Sequence, residues 1–338
     1  MNKETDKFLI IYHMEDNDGL VSMAIAYNYL TDMLGIKPEN IHRLGADYEI
    51  MNQLSTKKIK GNKTKLDIVL ETYQHIIMTD ISFNDFKYIK KIYEALGKEF
   101  IWIDHHAPVI KQSVIEKCDG ISGERNTQRS AILNAYRFFF DPFDQKHATK
   151  DKSIELFRIL SAMDSFSYER EGYEKDYVFD VNTGVSNKFM LKPEKIIPFV
   201  HQVLFEMDTR TQNGYIVRFH EEGHNYNVVQ DEKNSNIVKQ YGEEWKLRDG
   251  RSCCVIFYAG QTSSLYFKDV ADKYQNGVVF KHLANGTWNV SMYNTSEDDK
   301  FDCGNYMKEH YSGGGHPGAA GGQMTQEKFI EVLQNKVF

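Results

Sequence analysis

The densest chemistry in the chain lies in residues 101–106, Ile101-Trp102-Ile103-Asp104-His105-His106. An apolar, partly β-branched run from Phe100 to Ile103 delivers one carboxylate and two imidazoles at its end. Such donors together suit zinc, manganese, iron and similar divalent metals. Two adjacent histidines at a strand end also read as ordinary polar residues entering a loop, so the weight falls on matching ligands elsewhere. Three other places offer them. His13, Asp16 and Asp18 follow the apolar run KFLIIY, and the two aspartates, two apart, project to the same side of an extended backbone. Asp18-Gly19 alone reads as a helix cap with a glycine turn; His13 just before it brings in the metal reading. Asp80 ends the run HIIMTD, a place where a lone aspartate is usually a cap or turn residue. Asp164 ends the amphipathic stretch SIELFRILSAM. A helix C-terminus disfavours an acid, which argues for a functional reason. His220 and His224, four apart, could share a helix face, but Gly223 intervenes and there is no HExxH pattern.

The elements that must position these residues follow from periodicity. KFLIIY reads as a buried strand and LVSMAIAYNYLTDML, from Leu20, as a helix; the polar loop between them opens a helix start suited to phosphate. Residues 41–50 suggest a second short strand and its loop, and the Lys-rich segment 52–66 a solvated loop. A strand over 75–80, a helix from about Asn84 to Leu96 and the strand EFIWIDHH come next. Residues 107–124 look irregular, and helices are expected over 127–140 and 153–163. Strands alternating with helices predict an α/β fold with a doubly wound parallel sheet. Ligands bind such sheets beyond the carboxyl ends of the strands, where Asp80 and Asp104 are expected. Residues 193–245 read as mainly helix with a charged face.

Near Arg248 a smaller α/β lobe begins, with RSCCVIFYA as a strand, then Gly260–Ser264 and a helix. NGVVFKHL and TWNVSMYN read as paired strands around an Asn-Gly hairpin turn. The run Gly313-Gly314-Gly315-His316-Pro317-Gly318-Ala319-Ala320-Gly321-Gly322 follows. So many glycines let backbone approach a ligand and turn N–H groups toward an anion, with a flexible loop as the alternative. The expected division is an α/β domain over 1–180 that carries the candidate metal ligands, a helical connector over 181–247 and a smaller domain over 248–338 that carries the glycine run.

Composition narrows the function classes. The chain has 338 residues, 41% hydrophobic and 26% charged, as in a soluble globular protein with room for two cores. Its formal net charge of −7 argues against long duplex DNA as a partner. No apolar stretch approaches bilayer length, and the N-terminus lacks a secretory signal pattern. Cys118, Cys253, Cys254 and Cys303 show no CxxC spacing, so reduced thiols in a cytoplasmic protein are expected.

Taken together these motifs resemble the DHH phosphoesterase superfamily with its DHH-associated C-terminal domain, in the manner of oligoribonucleases. The resemblance rests on His13 with Asp16 and Asp18, on Asp80, on Asp104-His105-His106, on Asp164, and on the run from Gly313 to Gly322. It covers about 1–170 and 250–338, and its specificity lies in the order and spacing of all five motifs. It implies a two-metal site, usually manganese, with magnesium or cobalt as substitutes. His13, Asp16 and Asp80 would hold one ion; Asp18, Asp80, His105 and Asp164 the other. His106 would contact the phosphate, Asp104 would orient the imidazoles, and Gly313–Gly315 with His316 would grip the remainder of the substrate. The implied activity is hydrolysis of phosphoester bonds by a hydroxide activated between two metals. The implied substrates are short oligonucleotides, linear or cyclic dinucleotides, or a nucleotide bisphosphate. A single-strand-specific exonuclease and a non-catalytic nucleotide sensor are the alternatives, with an inorganic pyrophosphatase behind them, and a homodimer is left open. Two departures stand out. His13 precedes Asp16 by three residues where the family commonly shows two or four, so local remodelling of that loop is expected. Tyr293 stands where many relatives have arginine, and a tyrosine cannot grip a phosphate bidentately.

Overall fold

Strand β1 (Phe8–His13) alternates between two cores: Phe8, Ile10 and Tyr12 face one, Leu9 and Ile11 the other. A strand buried on both sides belongs inside a parallel sheet covered by helices on each face. The computed structural model describes residues 2, 4–118, 120–140, 154–260, 262–295, 301–311, 313–315 and 317–338. They divide into two units, 1–226 and 227–338.

In the first unit β1 pairs in parallel with β2 (Ile41–Ala46) on one side and β5 (His75–Thr79) on the other, and β5 pairs with β6 (Phe100–Ile103). The order β2-β1-β5-β6 reverses direction between β1 and β5, which opens a crevice at their carboxyl ends. One face carries α1 (Asn17–Asn28), whose Leu20, Val21, Ala24 and Ile25 enter the first core. The opposite core takes residues from α2 (Tyr48–Thr56), α3 (Lys65–Thr72) and α4 (Phe86–Leu96). The α/β, doubly wound expectation is met.

Two stretches depart from it. The Lys-rich segment is not a loop: α2 runs to Thr56, β3 (Lys58–Lys60) and β4 (Lys63–Thr64) form a small hairpin, and a Thr64–Asp67 capping box starts α3. Residues expected to be irregular form α5 (Ala107–Ile115), with Pro108 in its first turn, where no N–H is needed. It hid from periodicity because Val114 and Ile115 are exposed instead of continuing an apolar stripe. Beyond it lie α6 (Ala131–Phe139), α7 (Glu155–Asp164), α8 (Lys175–Phe189) and α9 (Pro193–His201), all contributing to the first core. Residues 181–226 are thus built into this unit. Helix α10 (Thr209–Tyr241) follows.

The second unit is a six-stranded mixed sheet, β11-β12-β10-β9-β8-β7, also with a core on each face. It begins earlier than periodicity indicated, with β7 (Glu243–Lys246), then β8 (Ser252–Phe257), and the expected pair β9 (Asn276–His282) and β10 (Trp288–Asn294). Helix α11 (Cys303–Tyr311) precedes the glycine-rich run. That run is largely strand, not open loop: β11 (Gly314–Gly315) pairs with β12 (Ala319–Met324), before the terminal α12 (Gln326–Asn335). Backbone approach dictates the composition, since a Cβ at Gly313 would overlap the Gly321 carbonyl oxygen and one at Gly315 the Ala319 carbonyl. All four cysteines are buried thiols and none forms a disulfide. Among the described residues no helix is long and apolar enough to cross a membrane.

Candidate metal centre

His13 is the last residue of β1, and Asp16 caps α1 by accepting the Gly19 N–H at 2.9 Å. Its other oxygen lies 2.9 Å from His13 Nδ1. Gly19 makes that closeness possible: a Cβ there would overlap the His13 carbonyl oxygen. Asp18, not itself the cap, is buried in the first turn of α1 and accepts the N–H groups of Ala131 and Ile132, each at 2.8 Å. Those are the first two N–H groups of α6, so one carboxylate anchors a second helix start.

Asp80 leaves β5 in the left-handed region, at φ +58°, uncommon for any residue but glycine. The turn points its carboxylate between the two histidines: Oδ1 lies 3.3 Å from His105 Nε2 and Oδ2 3.7 Å from His13 Nδ1. Neither contact has the geometry of a good hydrogen bond, and buried Oδ1 has no hydrogen-bond donor. His105 Nε2 lies 2.9 Å from Asp164 Oδ2, at the end of α7, and 3.5 Å from Asp18 Oδ2.

Asp104 is fully buried, and its Oδ2 accepts the Trp102 indole N–H at 3.3 Å. Its Oδ1 accepts the N–H groups of His105 at 2.7 Å and His106 at 3.0 Å, and lies 2.8 Å from His106 Nδ1. It therefore orients the His106 ring, and holds His105 only through the backbone.

Packing so many acids together shifts their protonation. Burial, reinforced by neighbouring carboxylates, raises the Asp18 and Asp80 pKa values. His13 is pushed up to about 11 by its contacts with Asp16 and Asp80. Burial pulls His105 down, but Asp164, Asp80 and Asp18 outweigh it and carry it to about 11. At Asp16 and Asp104 burial opposes ionisation and loses to the adjoining imidazoles, which hold both acids low. His106 is raised by its bond to Asp104. In the metal-free protein, imidazolium protons are thus the counter-charges of the cluster.

The donor set fits divalent cations. Among the described residues three groups have donor atoms within 4.8 Å of one another: His13, Asp16 and Asp80; Asp18, His105 and Asp164; and Asp80, His105 and His106. Asp80 belongs to two of them, and its undonated Oδ1 is the buried acceptor a cation would satisfy. The pair His220 and His224 faces buried Asp180, at 3.7 and 2.9 Å, without forming such a group.

Of the other expected residues, Gly313, Gly314 and Gly315 lie in the second unit, at the β11–β12 pairing, and His316 lies outside the described residues. Tyr293 is half-buried with its ring 6.3 Å from Phe267, part of that unit's second core. Tyr48 was missed. It starts α2, beyond the end of β2, and its ring lies 6.4 Å from that of His13. Burial and the charges of Asp104, Asp80 and Asp16 push its phenol up to about 12, so it remains an O–H donor. The strand-end rule that marked Asp80 and Asp104 would have marked it too.

The family model for the DHH family, N-terminal domain, matches residues 7–151, and that for the DHHA1 domain matches 253–337. No curated protein matches the sequence. Among solved structures, a DHH domain from a protein described as belonging to a family of ribosomal proteins aligns with TM-score 0.56 and 13% identity, over 99% of this chain and 86% of that one. A pGpG-specific phosphodiesterase, PggH from Vibrio cholerae, aligns at TM-score 0.49 and 12% identity over 97% of each chain. Exonuclease RecJ bound to manganese aligns at 0.48 and 12%, over 98% of this chain and 89% of its own. At these identities the likeness is one of fold.

Proposed function

Since the chain is a DHH-family phosphoesterase with a DHHA1 domain, we propose that it hydrolyses phosphodiester bonds in small nucleotide substrates. Short oligonucleotides, linear or cyclic dinucleotides and nucleotide bisphosphates are the candidates. The observation that carries this reading is the convergence of His13, Asp16, Asp18, Asp80, His105 and Asp164 at the carboxyl ends of β1, β5 and β6 and the adjoining helix ends. His13, Asp16 and Asp80 would hold one divalent cation, and Asp18, Asp80, His105 and Asp164 a second, manganese being the first choice and magnesium or cobalt substitutes. Bound there, the pair supplies charge neutralisation and activation of water near neutral pH.

The remaining work falls to the protein's own groups. Asp104 fixes the His106 ring through Nδ1 and raises its pKa, leaving Nε2 to donate to a non-bridging phosphate oxygen. The Tyr48 phenol, protonated across the physiological range, supplies a second, neutral donor beside His13. A role in holding the rest of the substrate is assigned to Gly313–Gly315 and His316. Gly314 supports it, because no atom lies within 4 Å of where its Cβ would be, leaving that backbone open to a ligand.

Purified protein with manganese should cleave at least one of a 5′-phosphorylated dinucleotide, a cyclic dinucleotide and an adenosine bisphosphate. His105→Ala or a chelator should reduce the rate by about 10³-fold or more. Preference for a long single-stranded RNA would instead make the chain an exonuclease, and binding without any cleavage would make it a sensor.

A further inference from the structure

Helix α7 ends at Asp164, and the chain leaves it through a turn whose central residue is Phe166 at φ +50°. The Phe166 N–H donates to the Met163 carbonyl at 3.4 Å and the Ser167 N–H to the Ala162 carbonyl at 3.0 Å. This pair of bonds closes a helix with a left-handed residue, a place that glycine normally takes because a Cβ is costly there. Here the residue is phenylalanine, and it is 73% exposed, the most exposed large apolar residue among those described. Backbone strain and wetted aromatic surface thus fall on one residue, and glycine would remove both.

The turn is also held in place. Ser165 Oγ donates to the Ser161 carbonyl at 2.7 Å and lies 2.9 Å from Ser167 Oγ, so hydroxyls brace Phe166 on both sides. Its location is as specific as its conformation. Asp164, whose Oδ2 lies 2.9 Å from His105 Nε2, is two residues back, which limits the separation of the two Cα atoms to about 7 Å. A nucleoside joined to a phosphate at the metal centre carries its base one sugar away, within reach of such a side chain. Strained residues persist where the strained geometry has a use, and a rigid exposed ring is what an unpaired base stacks on.

We propose that Phe166 is the nucleobase platform of this site, stacking the base attached to the phosphate under attack. The inference rests on the nucleotide phosphodiesterase reading above. It implies selection for substrates that carry a base, with tolerance among bases, since every base presents a π-face.

The test compares wild type with Phe166→Gly and Phe166→Trp. The first readout is the ratio of kcat/KM for a dinucleotide to that for its abasic analogue. The second, which needs no turnover, is calorimetric affinity for a nucleoside 5′-monophosphate against ribose 5-phosphate on manganese-loaded protein. We expect Phe166→Gly to shrink both ratios by about ten-fold or more and Phe166→Trp to preserve them. Phe166→Gly should also raise Tm, which shows that the loss is not one of folding. The proposal is overturned if both ratios survive Phe166→Gly, or if wild type does not distinguish the nucleotide from the sugar phosphate. Base-dependent binding without hydrolysis would sink the phosphodiesterase reading and leave the platform standing.

Discussion

Asp80 joins three costs in one residue: a left-handed backbone, full burial and like-charged neighbours. Asparagine tolerates the same backbone conformation and removes the charge. Asp80→Asn should therefore stabilise the metal-free protein by about 1 kcal/mol, read as a Tm increase of roughly 2–4 °C, while reducing manganese-dependent hydrolysis by about 10³-fold. A lower Tm would show that the acids are not in conflict. His13 and His105, each raised to about 11, carry protons at neutral pH, whereas a metal ligand must be the neutral imidazole. Manganese binding at pH 7.5 should thus release about one to two protons. Calorimetry in two buffers of different ionisation enthalpy would count them, and affinity should rise with pH. Uptake with no proton release would mean that the cation sits elsewhere.

Among elements, the junction of β1 and α1 sets the site. Gly19→Ala would drive a Cβ into the His13 carbonyl, so the helix start must shift and take Asp16 and Asp18 with it. We expect a stability loss of about 2–4 kcal/mol together with weakened manganese affinity, measured by denaturation and calorimetry on one preparation. Unchanged affinity would separate the cap from the metal centre. What the sequence revealed at this scale follows from local physics. β1, β5 and β6 were legible because buried strands ending in acids or imidazoles need no partner to be recognised. The hairpin at Lys58–Thr64 and helix α5 were not, because lysines and exposed Val114 and Ile115 mask the periodicity on which such readings depend. The glycine run read as a loop because its glycines answer to backbone contacts across β11 and β12, which no single segment contains. Asp18 reaching α6, more than a hundred residues on, and the left-handed turn at Phe166 are likewise products of the folded chain.

For the molecule as a whole, a formal charge of −7 leaves little general attraction for a polyanion. Binding of a dinucleotide should therefore weaken only gently with salt, log affinity falling against log salt with a slope no steeper than about −1.5. A slope near −4 would instead reveal an extended phosphate track and favour a long single-stranded substrate. The buried thiols bear on how the molecule can be handled. Cys118, Cys253, Cys254 and Cys303 are each at most 2% exposed, and burial raises Cys253 to about 12 and Cys254 to about 11. Maleimides react with accessible thiolates, so the folded native chain should be nearly silent to them. A cysteine introduced at any exposed position would then take a fluorophore without prior removal of the natural four. One dye in each unit would turn the intact wild-type core into a ruler for distances between its halves during turnover.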